Sequence, residues 1–159
     1  MQFALPKSFY SPAEVEYLEV VWVFMHDAQN LFDEKTSFAG EWRVDESLNA
    51  LAQEHDLQLI VVGIDNGGEH RTQELSSWDH EKYGKAEGEQ YTDFIVNVLK
   101  PYIDDRYRTL PDATNTAIMG SSMGALSSHY AIHTYPEIFS KAGLFSPLLL
   151  VCRPGVSLH

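Results

Sequence analysis

Cysteine is almost missing from this chain: Cys152 is the one thiol in 159 residues. That excludes an intrachain disulfide and a thiolate-rich metal centre. Long apolar runs are missing too. None approaches the roughly 18 to 20 residues that a bilayer-spanning helix needs, which excludes such a span. The opening MQFALPKSFY has no apolar stretch behind a basic one, so no signal peptide is visible and a cytoplasmic location is expected. Positive charge is scarce: 11 Lys and Arg against 23 Asp and Glu give a formal charge of −12. Such a balance repels phosphate backbones and anionic surfaces, so neither nucleic acid nor a membrane is expected as a partner. A hydrophobic share of 44% with 21% charged residues is enough to build a core, and the length suits one domain rather than two.

What is present is an alternation of strand-like and helix-like segments. The β-branched apolar runs 20–25 (VVWVFM) and 57–64 (LQLIVVGI) suit parallel strands covered on both faces. Shorter versions occur at 116–119 and 142–145. Between them, 41–54 places Val44, Leu48 and Leu51 at helical spacing, and 90–107 does the same with Phe94, Ile95, Val98, Leu99 and Ile103. Pro101 is expected to kink or break that second helix. A third helix, 123–135, should end before Pro136. This order predicts an α/β fold with a mostly parallel sheet and helices on both faces. Binding sites in such sheets lie at the carboxyl ends of the strands. One long segment without periodicity, 65–89, leaves from such an end and contains Gly67, Gly68, Gly84 and Gly88; loops of that length are more often functional than idle.

After the third strand stands Gly120-Ser121-Ser122-Met123-Gly124, a G-x-S-x-G match between a strand and a helix. In that setting a tight turn exposes the serine Oγ, and the helix that follows points unpaired N–H groups at a developing oxyanion. Ser122 is therefore the candidate nucleophile and the Met123 N–H a candidate oxyanion donor. The segment His26-Asp27-Ala28-Gln29-Asn30 follows the first strong strand, and Gln29 N–H is the expected second donor. A plainer reading makes Asp27 and Asn30 turn-forming and capping side chains.

Four blocks together resemble a known family: VFMHDAQNLFD (23–33), GIDNGGEHRTQELS (63–76), KPYIDDRYRTLPD (100–112) and GSSMGALSSHYAIHTYPEIFSKAGLFSP (120–147). They are similar to the bacterial putative-esterase family related to esterase D and the enterochelin esterases. The resemblance implies an α/β-hydrolase core and a serine carboxylic-ester hydrolase that needs no cofactor and no metal. It implies Ser122 as nucleophile and Met123 and Gln29 at the oxyanion hole. It also implies Trp42, Arg71 and Glu74 near the acyl or alcohol pocket, and Asp27 is a further candidate for that pocket. Ala125 stands where many relatives have a further glycine. Members of the family carry their acid and their histidine beyond the strand that ends here near Phe145, so the chain reads as a domain, 1–147, lacking the final strands and helices, followed by a non-family tail, 148–159.

The residues present complete no obvious triad. Glu137 and His133 follow Ser122 along one helix and lie roughly 15 to 20 Å from it at 1.5 Å per residue; His129 points along the same helix. His26, His70, His80 and His159 could reach the catalytic edge, but none has an evident carboxylate to orient it, and losing that support can cost about 10⁴ in kcat. The general base is left unassigned. The pairs Glu69-His70 and Asp79-His80 suit a solvated loop better than a metal site. Tyr83, Tyr91, Trp78 and Trp42 suit the core somewhat better than an aromatic pocket. The expected function is weak hydrolysis of small, short or activated esters. The alternative is a catalytically silent hydrolase fragment serving as an assembly or binding module. A homo-oligomer through residues 142–159 is expected, because an uncovered sheet edge beside the apolar run Leu148 to Val151 invites a second copy.

Overall fold

The computed structural model describes residues 2–4, 21–57, 59–107 and 110–148. Val20, Cys152, His159 and the tail from residue 149 onward lie outside them. Five strands form one sheet in the order β1-β3-β2-β4-β5: β1 (Gln2–Ala4), β2 (Val21–His26), β3 (Leu59–Ile64), β4 (Thr116–Ser121) and β5 (Lys141–Phe145). Strands β2 to β5 are mutually parallel where they pair. The antiparallel edge strand β1, paired through Phe3 and Val62, is an addition to the sequence reading. Three residues are too few to show a period of two.

The two faces of β2 and β3 are sorted by residue parity, as strand geometry requires. Trp22, Phe24, Ile60, Val62 and Ile64, with Ile118 of β4, pack against Ile95, Val96, Leu99, Ile103, Ala131 and Phe139. On the opposite face Val23, Met25 and Val61 meet Val44 and Leu48 of helix α1 (Val44–His55). A short helix α2 (Arg71–Glu74) interrupts the long loop after β3. Helices α3 (Gly88–Phe94) and α4 (Lys100–Arg106) flank the turn of π-helix Ile95–Leu99, and α5 (Met123–Thr134) follows β4.

Pro101 does not break the second helix. Its missing N–H and its ring would disturb a regular α-turn, and the wider π-turn immediately before it absorbs the misfit. The same widening shifts which residues face inward. Phe94 and Val98, expected in the core, are exposed, while Val96 and Lys100 are buried. Lys100 is satisfied there by Asp104 Oδ2 and the Pro111 carbonyl, each 2.7 Å from Nζ.

The chain runs from β2 through α1 to β3 on one side, then returns past β2 to β4 across the other face. The direction of winding therefore reverses between β2 and β4. In open α/β sheets, ligand crevices form outside the carboxyl ends of strands at such a reversal. Those ends here are His26 and Ser121.

Candidate active site

Ser122 sits at the reversal in a conformation that a side chain seldom adopts, φ 55° and ψ −115°. Strain of this kind costs on the order of 1–3 kcal/mol and persists only where the surroundings fix it. Here Ser122 N donates to the Phe145 carbonyl at 2.9 Å, and the Ser122 carbonyl accepts from Leu126 N and Leu148 N, each at 3.3 Å. The flanking glycines are required by close approach. A Cβ on Gly120 would stand 2.8 Å from the Gly124 carbonyl carbon and 2.9 Å from the His26 ring, and one on Gly124 would stand 3.1 Å from His26 Cβ. The G-x-S-x-G spacing thus lets α5 start directly against the end of β2. Helix α5 begins at Met123, so its first N–H groups have no partner within the helix.

Across from Ser122, Asp27 is left-handed (φ 58°, ψ 51°) and opens a tight 3-10 turn, Ala28–Asn30. The turn closes through Asn30 N to the Asp27 carbonyl at 2.9 Å and Leu31 N to the Ala28 carbonyl at 3.1 Å. The Asp27 carboxylate, 5% exposed as a residue, accepts a forked pair of bonds from Arg71: Nε to Oδ1 at 2.6 Å and Nη2 to Oδ2 at 2.8 Å. Asn66 Nδ2 adds a third at 2.7 Å. The Gln29 side chain exchanges bonds with the backbone of Asn66, Nε2 to its carbonyl at 2.9 Å and Asn66 N to Oε1 at 3.2 Å. Glu74, on the helix that bears Arg71, accepts from Gly67 N at 2.7 Å. Arg71 and Glu74 are therefore tied into the loop after β3. Trp42 lies beside the end of β5, edge-on to Phe145 with ring centroids 5.4 Å apart.

His26 is buried at 2% exposure, and its Nδ1 lies 2.8 Å from the Tyr91 hydroxyl. Burial lowers its pKa from 6.5 to about 4; the charge of Asp27 opposes this and that of Arg71 adds to it. Burial, with the nearby charges of Asp27 and Glu74, raises the Tyr91 pKa well above 10. The neutral imidazole and the protonated phenol share this one hydrogen bond, whose direction follows the imidazole tautomer. The imidazole Nε2 is buried without a partner. Among the described residues it is therefore not hydrogen-bonded to Ser122.

The other histidines are placed elsewhere. His70 is exposed on the turn before α2. His80 Nδ1 accepts from Lys82 N at 3.1 Å, and Asp79 accepts from Ala86 N at 2.8 Å, so both members of that pair hold their own loop together. His129 and His133 lie side by side along α5, their rings tilted by 57° with centroids 4.5 Å apart. Among the described residues, the one group of three possible metal-ligating side chains is Glu41, Asp45 and Glu46. It lies at the start of α1, where carboxylates favour the positive end of the helix. Also among the described residues, no helix is long and apolar enough to cross a membrane. Asn66 and Tyr91 are the site-forming residues that sequence reasoning missed. Asn66 has only its position after β3 to mark it, and Tyr91 reads as an ordinary core aromatic.

Comparison with known proteins supplies the family. The family described as "Putative esterase" matches residues 1–154. The chain belongs to this esterase family. Among curated relatives, the uncharacterized protein YbbA of Bacillus subtilis (strain 168) is 25% identical over 134 residues, covering 78% of this chain and 48% of YbbA. The BES protein from Bacillus cereus superposes with a TM-score of 0.69 at 19% identity, over 94% of this chain and 55% of that one. The enterochelin esterase from Shigella flexneri gives 0.71 at 19% identity, over 99% and 34%. The siderophore hydrolase EstB from Aspergillus nidulans gives 0.69 at 20% identity, over 94% and 52%. These likenesses establish an α/β-hydrolase-like fold. The chain spans about half of YbbA, BES and EstB and a third of the enterochelin esterase.

Proposed function

We propose that this esterase-family chain hydrolyses carboxylic esters by acyl transfer to Ser122. The observation that carries the reading is the strained Ser122 turn at the reversal of the sheet, between the end of β4 and the start of α5. In this reaction Ser122 Oγ forms a bond to the ester carbonyl carbon, the ester C–O bond breaks, and the proton lost by the serine leaves with the alcohol. Water then attacks the acyl-serine and releases the acid. The negative charge on the carbonyl oxygen is met by Met123 N–H and Gln29 N–H, with no cofactor. Such fixed dipoles are worth more than side-chain donors that must reorganise during the reaction. With His26 committed to Tyr91, the expected activity is slow and favours short or activated esters, whose leaving groups need little help.

The test is hydrolysis of p-nitrophenyl acetate by the chain and by Ser122→Ala. Loss of all rate above background in Ser122→Ala, with its circular dichroism unchanged, is expected. An equal rate in both proteins overturns the assignment and favours a silent member that acts as a binding or assembly module.

A further inference from the structure

We infer that the part-buried Asp27–Arg71 pair is a positioning device that sets the Ala28–Asn30 turn, and with it the direction of Gln29 N–H, from the loop after β3. The inference deepens the reading of Ser122 as nucleophile and rests on it. Three separate tethers converge on the turn. Asp27, in a left-handed conformation next to the sheet, has both carboxylate oxygens engaged by the Arg71 fork and one of them also by Asn66. Ala28 is fully buried against β3, so close that a Cβ on Gly63 would lie 2.9 Å from its own. Gln29 is held by a reciprocal amide pair to the Asn66 backbone.

These three tethers come from the β3 side; segment 36–42 adds bonds from Thr36 Oγ1 to the Gln29 carbonyl and from Trp42 N to the Asn30 carbonyl, each at 2.8 Å, and among the described residues none comes from the Ser122 side. The turn is therefore fixed before any substrate arrives, as oxyanion donors must be if they are to lower the barrier. Gln29 also shows why the backbone matters here. Its polar side chain is consumed in holding the loop, leaving the N–H as the group free to be presented.

The choice of arginine follows from the same geometry. A planar guanidinium engages two carboxylate oxygens at once and so fixes the rotation of the Asp27 side chain; a lysine ammonium supplies the charge without the fork. Arg71 in turn is held by its own surroundings. It lies on α2, whose Glu74 ties back to Gly67 N at 2.7 Å, and its guanidinium carbon sits 5.6 Å from the centre of the Phe38 ring. The long loop after β3 thus acts as the outer wall of the site.

The experiment uses the full chain and two variants, Arg71→Lys and Arg71→Met. The structural readout is amide hydrogen exchange at Asn30 and Leu31, whose N–H groups close the turn, with α4 amides as the remote control. The catalytic readout is kcat and KM for p-nitrophenyl acetate after subtraction of the Ser122→Ala rate. If the pair positions the turn, Arg71→Lys raises exchange at Asn30 and Leu31 by about tenfold and leaves α4 unchanged. It also lowers kcat by about 10- to 100-fold with KM within about twofold, the size expected for misplacing one oxyanion donor. Arg71→Met does the same or more; if it fails to fold, the lysine variant decides alone.

Exchange that rises equally everywhere, or nowhere, overturns the proposal, because a merely stabilising ion pair behaves that way. A wild-type rate no higher than that of Ser122→Ala removes the nucleophile reading instead. The exchange result then still decides whether the pair sets the turn.

Discussion

Acidification should destabilise this protein through His26, and the size of the effect follows from its burial. The imidazole is neutral when folded, with its pKa lowered from 6.5 to about 4 chiefly because burial disfavours its charged form. Above pH 6.5 it is neutral in both folded and unfolded chains, and its contribution does not depend on pH. Between 6.5 and 4 the unfolded chain binds a proton that the folded chain refuses, so stability falls as pH falls. Below 4 both states are protonated and the loss is complete. At 1.36 kcal/mol per pH unit, the drop from 6.5 to about 4 corresponds to about 3 kcal/mol, a large part of the ~5–15 kcal/mol that holds a domain folded. The assay is urea unfolding, followed by circular dichroism, at half-unit steps from pH 4 to 8 for the wild type and His26→Gln. Glutamine can still accept from Tyr91, cannot titrate, and leaves the acids and other histidines to cancel in the difference. That difference should slope by up to about 1.4 kcal/mol per pH unit below 6.5 and be flat above it. A difference that stays level within about 0.7 kcal/mol from pH 4 to 8 would show that His26 reaches water in the folded chain, and the account of its burial would be wrong.

Gly120→Ala should cost about 1–3 kcal/mol in urea unfolding, because the new Cβ meets the Gly124 backbone and the His26 ring below 3.0 Å; a wild-type midpoint would show that α5 can move away from β2. His133→Ala, an exposed change near the end of α5, should leave p-nitrophenyl acetate hydrolysis within a few-fold of wild type, whereas a loss as large as that in Ser122→Ala, with folding intact, would contradict the placement of the site. Among the described residues, strand β5 pairs on one side only and leaves Leu144, Phe145 and the neighbouring Leu148 exposed, so we expect the chain as it stands to self-associate through this edge. Sedimentation as a compact monomer at micromolar concentration would refute that.

The local decisions were legible in the sequence because short-range physics makes them. Continuous β-branched apolar runs fixed β2 and β3, the 3.6-residue period fixed α1, and the G-x-S-x-G spacing marked Ser122 because a strand-to-helix turn leaves no room for a Cβ at Gly120 or Gly124. What failed locally failed for a local reason: the widened turn before Pro101 rotated Phe94 and Val98 outward and Lys100 inward, a change no periodicity reveals. The rest depended on residues distant in the chain. Asp27 reads as a turn former until Arg71, 44 positions later, is folded onto it. His26 reads as a possible base until the end of β2 is covered and Tyr91, 65 positions on, takes its Nδ1. Propensity and spacing act over a few residues, whereas the charge, protonation and orientation of a buried side chain are set by whatever packs against it. The candidate nucleophile could therefore be named from the sequence, while its surroundings were decided only when the strands were brought side by side.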